Sequence, residues 1–186
     1  MSDVPANVAV LLRQKSGPSA LSEDDIGRIE AAIVNSPYLA DVMSRAVESK
    51  NLKGFARSDN ANEAGHYDSA TGLIHLSSST LHDSKRGPGQ QADYLTVTLG
   101  HETSHALRAG VTRKASYELS FNVGAALRDA AGNESYVDLT APAKKYLQER
   151  RYNEALASRR DLMLWPAAFA RRTMDSLTRR NLLRGR

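Results

Sequence analysis

The sequence predicts an α+β fold that is mostly helical, with a small sheet or hairpin placed just ahead of one central helix. Three observations carry that prediction. Apolar residues recur at three- and four-residue spacing along most of the chain, the mark of helices that bury one face. Residues 65–76 break this pattern with strand-like alternation around turn residues. Finally, 41% hydrophobic residues in a chain of 186 supply one sizeable core. A single domain over residues 1–186 is therefore expected, with a helical N-terminal part (1–56), a core (57–165) and a basic C-terminal helix (166–186).

The first helix expected runs from Ser22 to Asn35. Ser22-Glu-Asp-Asp25 has the form of a capping box, and Ile26, Ile29, Ile33 and Val34 follow at helical spacing. Ser36-Pro37 stops it and starts a second helix, whose stripe of Leu39, Val42, Met43, Ala46 and Val47 marks a packing face. The two are expected to pair or to cover the core. Polar residues 51–62 follow. His66-Tyr67 and Leu73 to Leu76 read as strands joined by the turn Asp68-Ser-Ala-Thr-Gly72, a hairpin that completes a small sheet or offers it an edge. The polar stretch from Ser77 to Gly89 reads as a surface loop able to act as a lid. A helix from about Ala92 to Ala109, closed by Gly110, comes next. Tyr117 to Ala131 forms another that ends at Gly132-Asn133. Thr140-Ala-Pro142 opens a long charged helix, with Tyr146, Leu147, Tyr152, Leu156 and Leu162 on its apolar side, that runs to Trp165-Pro166. A last basic helix spans Ala167 to Leu183.

The most specific signal lies inside the central helix. His101-Glu102-Thr-Ser-His105 places two imidazoles four residues apart, on one helix face, with a carboxylate beside them. With five His and nine Glu, a chance match is expected about once in 150 chains of this composition, so the surrounding helix pattern is needed to support it. A zinc ion held by such a pair polarises a carbonyl and acidifies water. His66, His75 and His82 read instead as structural histidines, since none has a partner at ligand spacing.

The run His101-Glu-Thr-Ser-His-Ala-Leu-Arg-Ala-Gly110 resembles the zinc helix of zincin-like metallopeptidases, in the form common among bacterial effector and toxin peptidases. The resemblance implies a zincin-like fold, Zn2+ as cofactor, His101 and His105 as metal ligands, Glu102 as general base, a protein or peptide substrate, and a strand ahead of the zinc helix, in the place of the Ile74 strand, whose free edge pairs with that substrate. It covers about ten residues. Catalytic zinc takes three protein ligands, and no His follows His105, so a carboxylate is required; Glu118, Asp129, Glu134, Asp138, Glu149, Glu154 and Asp161 are available. Tyr152-Asn-Glu-Ala-Leu-Ala-Ser-Arg-Arg-Asp161 is similar to the second ligand helix of gluzincins, which favours Glu154, flanked by Ala155 and Ala157, over Glu134. Asp161 is then placed to orient a ligating His. Tyr146, Tyr152 and Arg159 are candidate hydrogen-bond donors to a developing oxyanion.

Composition sets outer bounds. Without cysteine there is neither a disulfide framework nor a cysteine-ligated metal. The formal net charge of +4 is uneven, at +8 from Pro142 onward and −4 before it. The basic part is expected to be a solvated face, with contact to nucleic acid or acidic membrane as the lesser expectation. No apolar run reaches membrane-spanning length, and Met1-Ser-Asp-Val-Pro-Ala-Asn lacks the positive start of a cleaved signal. A cytoplasmic chain, or one exported by a signal-independent route, is expected. The competing readings are a non-catalytic binding module on the same scaffold and a zinc amidase acting on a cell-wall or non-protein substrate.

Overall fold

The computed structural model describes residues 3–14, 19–133 and 138–159. Helices α1 (Ala6–Leu12), α2 (Glu23–Val34) and α3 (Pro37–Glu48) precede strands β1 (Gly54–Ser58), β2 (Gly65–Asp68) and β3 (Leu73–Ser77). A short α4 (Ser78–His82), a long α5 (Pro88–Asn133) and a helix α6 over residues 140–159 complete it. The chain is thus mostly helical with one small sheet, the α+β arrangement that the periodicities predict. Among the described residues no helix is long and apolar enough to cross a membrane.

The N-terminal helices form where local chemistry requires them. Ser22 accepts from the Asp25 N–H while the Asp25 carboxylate accepts from the Ser22 N–H, so the capping box is complete. Ser36 caps α3 through the Leu39 N–H, with Pro37 in the first turn where its missing donor costs nothing. Ile26, Ile29 and Ile33 of α2 and Leu39, Val42 and Met43 of α3 are all buried. All of these except Val42 join Val8 and Leu12 of α1, Phe55 of β1, Ile74 and Leu76 of β3, and Leu95, Leu99 and Ala106 of α5 in one cluster. The N-terminal part is therefore not a separate layer. The boundary expected after residue 56 falls inside β1, and the two sides of it share this core.

The sheet has the order β1-β3-β2, with β3 parallel to β1 and antiparallel to β2. This corrects two expectations. The polar stretch 51–62 contains a strand, β1, whose Phe55 and Ala56 are buried; its short length and flanking polar residues hide the alternation. The Ile74 strand is also the centre of the sheet rather than its free edge, because β1 occupies the side left open by the hairpin. The hairpin itself is as expected. Its turn closes at Gly72, which has φ of +80° and whose place no β-carbon fits, since one would lie 2.8 Å from the Asn51 carbonyl oxygen.

The stretch from Ser77 to Gly89 is not a free lid. Ser77 caps α4 through the Thr80 N–H, the Thr80 hydroxyl donates to the Ala64 carbonyl at 2.6 Å, and Leu81 is wholly buried. At its end His82 Nε2 meets Asp25 Oδ1 at 2.5 Å. Asp25 has no exposed surface, and its other oxygen accepts from the Ser22 N–H and hydroxyl and from Arg57 Nε, each at 2.7 Å. One buried carboxylate thereby ties α2, β1 and α4 together.

Burial alone would raise the Asp25 pKa, but the bonds from Ser22, His82 and Arg57 outweigh it and hold the group at about 2. The folded pKa lies below the unfolded one, so the stabilisation is complete above the ordinary carboxyl pKa and disappears as pH falls toward 2. Asp25→Asn is expected to cost about 3 kcal/mol near neutral pH, because it leaves Arg57 and His82 without their anion. Urea unfolding at stepped pH checks this: the gap between the two proteins should close between about pH 4 and 2. A gap that does not change with pH would contradict it.

The central helix is longer than expected. α5 runs uninterrupted from Pro88 to Asn133, about 69 Å at 1.5 Å per residue, and Gly110 lies inside it rather than closing it. Gly in a helix interior costs only about 1 kcal/mol relative to Ala. No proline follows to enforce a stop, so the two helices expected at Ala92–Ala109 and Tyr117–Ala131 are one. The C-terminal helix expected over Ala167 to Leu183, the Trp165-Pro166 break and Leu162 lie outside the described residues.

Candidate metal centre

The segment of α5 that carries the motif is held against the core by Leu95, Leu99 and Ala106. Thr103 and Ser104 also sit on this buried part of the helix, with no more than 1% of their surface exposed. Their hydroxyls donate to the Leu99 and Gly100 carbonyls one turn back, at 2.6 and 2.7 Å, so neither leaves a buried donor unpaired. On the other side, Gly65 of β2 lies against the helix. A β-carbon there would stand 2.6 Å from the His75 carbonyl oxygen and 3.3 Å from the Thr98 methyl group.

Helix α6 comes to the exposed side of α5. Three contacts line up in reverse order along the two helices, which makes them antiparallel: Glu118 with Lys145 at 2.6 Å, Arg108 with Glu149 at 3.0 Å, and the two histidines with Glu154. Arg108 also stacks over the Tyr152 ring, 4.7 Å from its centroid. Ala157 is fully buried, as a small residue at a close helix crossing should be, whereas Ala155, Leu147 and Tyr152 are exposed. The expectation that Leu147 and Tyr152 form the inner face of α6 is therefore corrected. Both side chains stay half exposed, Tyr152 under the Arg108 guanidinium, and the buried contact is made by Ala157 instead.

This pairing brings together the residues the motif singled out. His101 Nε2 and His105 Nε2 lie 3.1 Å apart, and Glu154 Oε2 lies 3.8 and 3.7 Å from them. The rings meet nearly edge to face, at 79°. A tetrahedral ion with ligand distances near 2.1 Å keeps its donors ~3.4 Å apart, and the three observed separations bracket that value. His101, His105 and Glu154 thus form a group able to hold a metal ion. Glu154 is 59% exposed, and the histidines are 25% and 14% exposed, so the group opens to solvent on the carboxylate side.

Glu102 stands next to His101 but is almost fully buried. Burial pushes its carboxyl above the ordinary carboxylate range, and the opposing pull of the His101 charge and of the Tyr67 backbone N–H does not cancel this. The Tyr67 N–H comes from β2, so the strand that borders the site also fixes its carboxylate. Around these groups opens a cleft of about 820 Å³ between β2, α5 and α6, a volume within the range of ligand sites.

The remaining candidates separate clearly. Glu118 and Glu149 are ion-paired elsewhere, and Asp138 accepts from the Thr140 N–H at the start of α6. Asp129 is exposed and does not belong to the metal group. Glu134 and Asp161 lie outside the described residues. Of the three proposed oxyanion donors Tyr146 lines the cleft, while Tyr152 and Arg159 do not. His66 stacks on His75, 4.6 Å between centroids, and bonds Glu63; His82 serves Asp25. His82 and His75 thus have partners away from the metal group, whereas His66 also lines the cleft.

Sequence reasoning missed Arg113 and Arg150, which both line the cleft. The signal was available in helical phase, since Arg150 precedes Glu154 by four residues and Arg113 follows His105 by eight. It was obscured for Arg113 by ending the helix at Gly110. No family model, curated protein or solved structure matches the chain, so any functional reading rests on these side chains themselves.

Proposed function

We propose that this chain is a zinc-dependent endopeptidase of the effector or toxin kind, with His101, His105 and Glu154 as the metal-holding residues and Glu102 as the general base. The observation that carries the reading is the convergence of an imidazole pair from α5 and a carboxylate from α6 on one point, beside a buried glutamate. Two imidazoles and one carboxylate are the donor set that suits zinc with a position left open for substrate. Once bound, zinc supplies Lewis acidity and brings the pKa of a water toward neutrality.

The chain's own residues supply the rest. Glu102, displaced upward from the usual carboxylate pKa, is suited to accept a proton near neutral pH and to pass it to the leaving amine. Tyr67 holds that carboxylate in place through its backbone. Among the described residues strand β2 has only β3 as a neighbour, and it borders the cleft, so an extended peptide can add to its other edge through backbone hydrogen bonds. Tyr146 of α6, which lines the same cleft, is the candidate to stabilise the oxyanion.

Metal analysis of single variants tests the ligand set. Glu154→Ala is expected to lower zinc affinity by more than about 100-fold, since even residues that only orient a ligand contribute 10–100-fold. The exposed Glu154 side chain contributes little packing, so the fold should persist. Glu134→Ala should keep its zinc. Equal zinc content in wild type and Glu154→Ala, measured after dialysis, would remove the third ligand and with it the site.

A further inference from the structure

The cleft does not end at the metal group. Past it, the α5 wall continues through Thr112, Arg113 and Ser116, opposite Tyr146 and Arg150 of α6. Among the described cleft-lining residues, the carboxylates are Glu102 and Glu154, and the guanidinium groups are Arg113 and Arg150. A divalent cation held at the histidine pair would balance the two carboxylates, so the arginines would set the remaining charge of the cleft.

The two arginines are not equivalent. Arg113 donates to the Ser69 carbonyl at 3.1 Å and to Asn51 Oδ1 at 2.8 Å, so its fork is spent on holding the β2–β3 turn. Arg150 makes no hydrogen bond or ion pair among the described residues. Glu149, next to it in sequence, is engaged by Arg108, and Glu154, four residues on, faces the two histidines. It is the cleft's one uncommitted guanidinium among the described residues, four residues before Glu154 and therefore roughly 6 Å along the same helix face. A guanidinium presents a planar fork matched to a carboxylate.

We propose that Arg150 binds a carboxylate of the substrate, so that the cleft selects acidic peptides. This rests on the metallopeptidase reading for its biological meaning but not for its test. At about 3.4 Å per extended residue, the carboxylate lies one or two residues from the bond that is cut. It is either an Asp or Glu side chain or the free C-terminus of the peptide, and both present the same group to Arg150. Arg113 supports the selection through its charge alone.

The test measures binding rather than turnover. Zinc-loaded Glu102→Gln protein is titrated with four dye-labelled peptide pools of random sequence, with one position fixed as Glu or Gln and the C-terminus as free acid or amide. The Glu pool or the free-acid pool is expected to bind about tenfold more tightly than its neutral counterpart, and which of the two does so identifies the source of the carboxylate. Adding Arg150→Gln should reduce that preference below about twofold, and Arg150→Glu should turn it toward a pool fixed as Lys. Absence of any preference, or a preference that survives Arg150→Gln in protein with an unchanged melting temperature, overturns the assignment. Whether zinc-loaded wild type cuts the same pools judges the peptidase reading separately.

Discussion

Replacing Glu102 by glutamine is expected to cut peptide hydrolysis by roughly 10²–10⁴-fold, the usual worth of a positioned general base, while zinc uptake stays at the wild-type level. The two halves of this outcome follow from where the carboxylate lies. Glu102 is adjacent to His101 in sequence and lines the same cleft, yet only 6% of its surface is exposed, and it is not one of the three converging donors. Metal binding therefore does not need it. Glutamine keeps the volume and an oxygen to accept the Tyr67 N–H, so the substitution removes proton transfer without opening a cavity or stranding a buried donor. Single-turnover hydrolysis of the peptide pools beside zinc analysis of the same preparations gives the measurement. A variant that cuts at the wild-type rate would dismiss Glu102 as the base, and one that loses zinc would place it among the ligands.

The second large effect concerns stability. Leu99→Ala should lower the unfolding free energy by about 2–5 kcal/mol, the range for truncating a fully buried leucine. Leu99 has no exposed surface and sits in the cluster that joins α5 to the N-terminal helices and the sheet. The cavity would open two residues from His101, on the face that positions the motif against the core. Urea unfolding with an unchanged slope measures the loss directly. A metal ion bound at the proposed site would stabilise the folded state of both proteins by mass action, so the comparison belongs in chelator. A loss below about 1 kcal/mol would mean that α5 does not bury this face.

Much of the architecture was legible in the sequence because it depends on neighbours along the chain. The capping box at Ser22 and Asp25, the Ser36-Pro37 start of α3 and the buried stripes of both helices follow from local hydrogen bonding and 3.6-residue periodicity. So does the turn at Gly72, where only a residue free to adopt positive φ avoids the Asn51 carbonyl. The misread elements are those decided at a distance. Strand β1 has little alternation of its own and becomes a strand because β3 offers an edge for parallel pairing. The polar run after Ser77 looked like a loop, but Ala64 and Asp25 supply partners for Thr80 and His82 and draw it into the body of the protein.

The same division runs through the site. Sequence by itself determined that His101 and His105 share a helix face with Glu102 beside them, because a helix converts a four-residue spacing into adjacency. It also pointed to a carboxylate as third ligand, since no histidine follows His105 and the chain has no cysteine, and it favoured Glu154 only through likeness to a family's second helix. What the tertiary structure decided is which carboxylate arrives. The antiparallel pairing of α5 with α6 turns 49 residues of separation between His105 and Glu154 into 3.7 Å, and spends Glu118 and Glu149 on Lys145 and Arg108. Packing also sends Glu102 inward, toward a strand whose backbone N–H holds it, while it leaves Arg150 facing the cleft. Spacing fixes what one helix presents, but only the meeting of two helices and a strand edge fixes what those groups face.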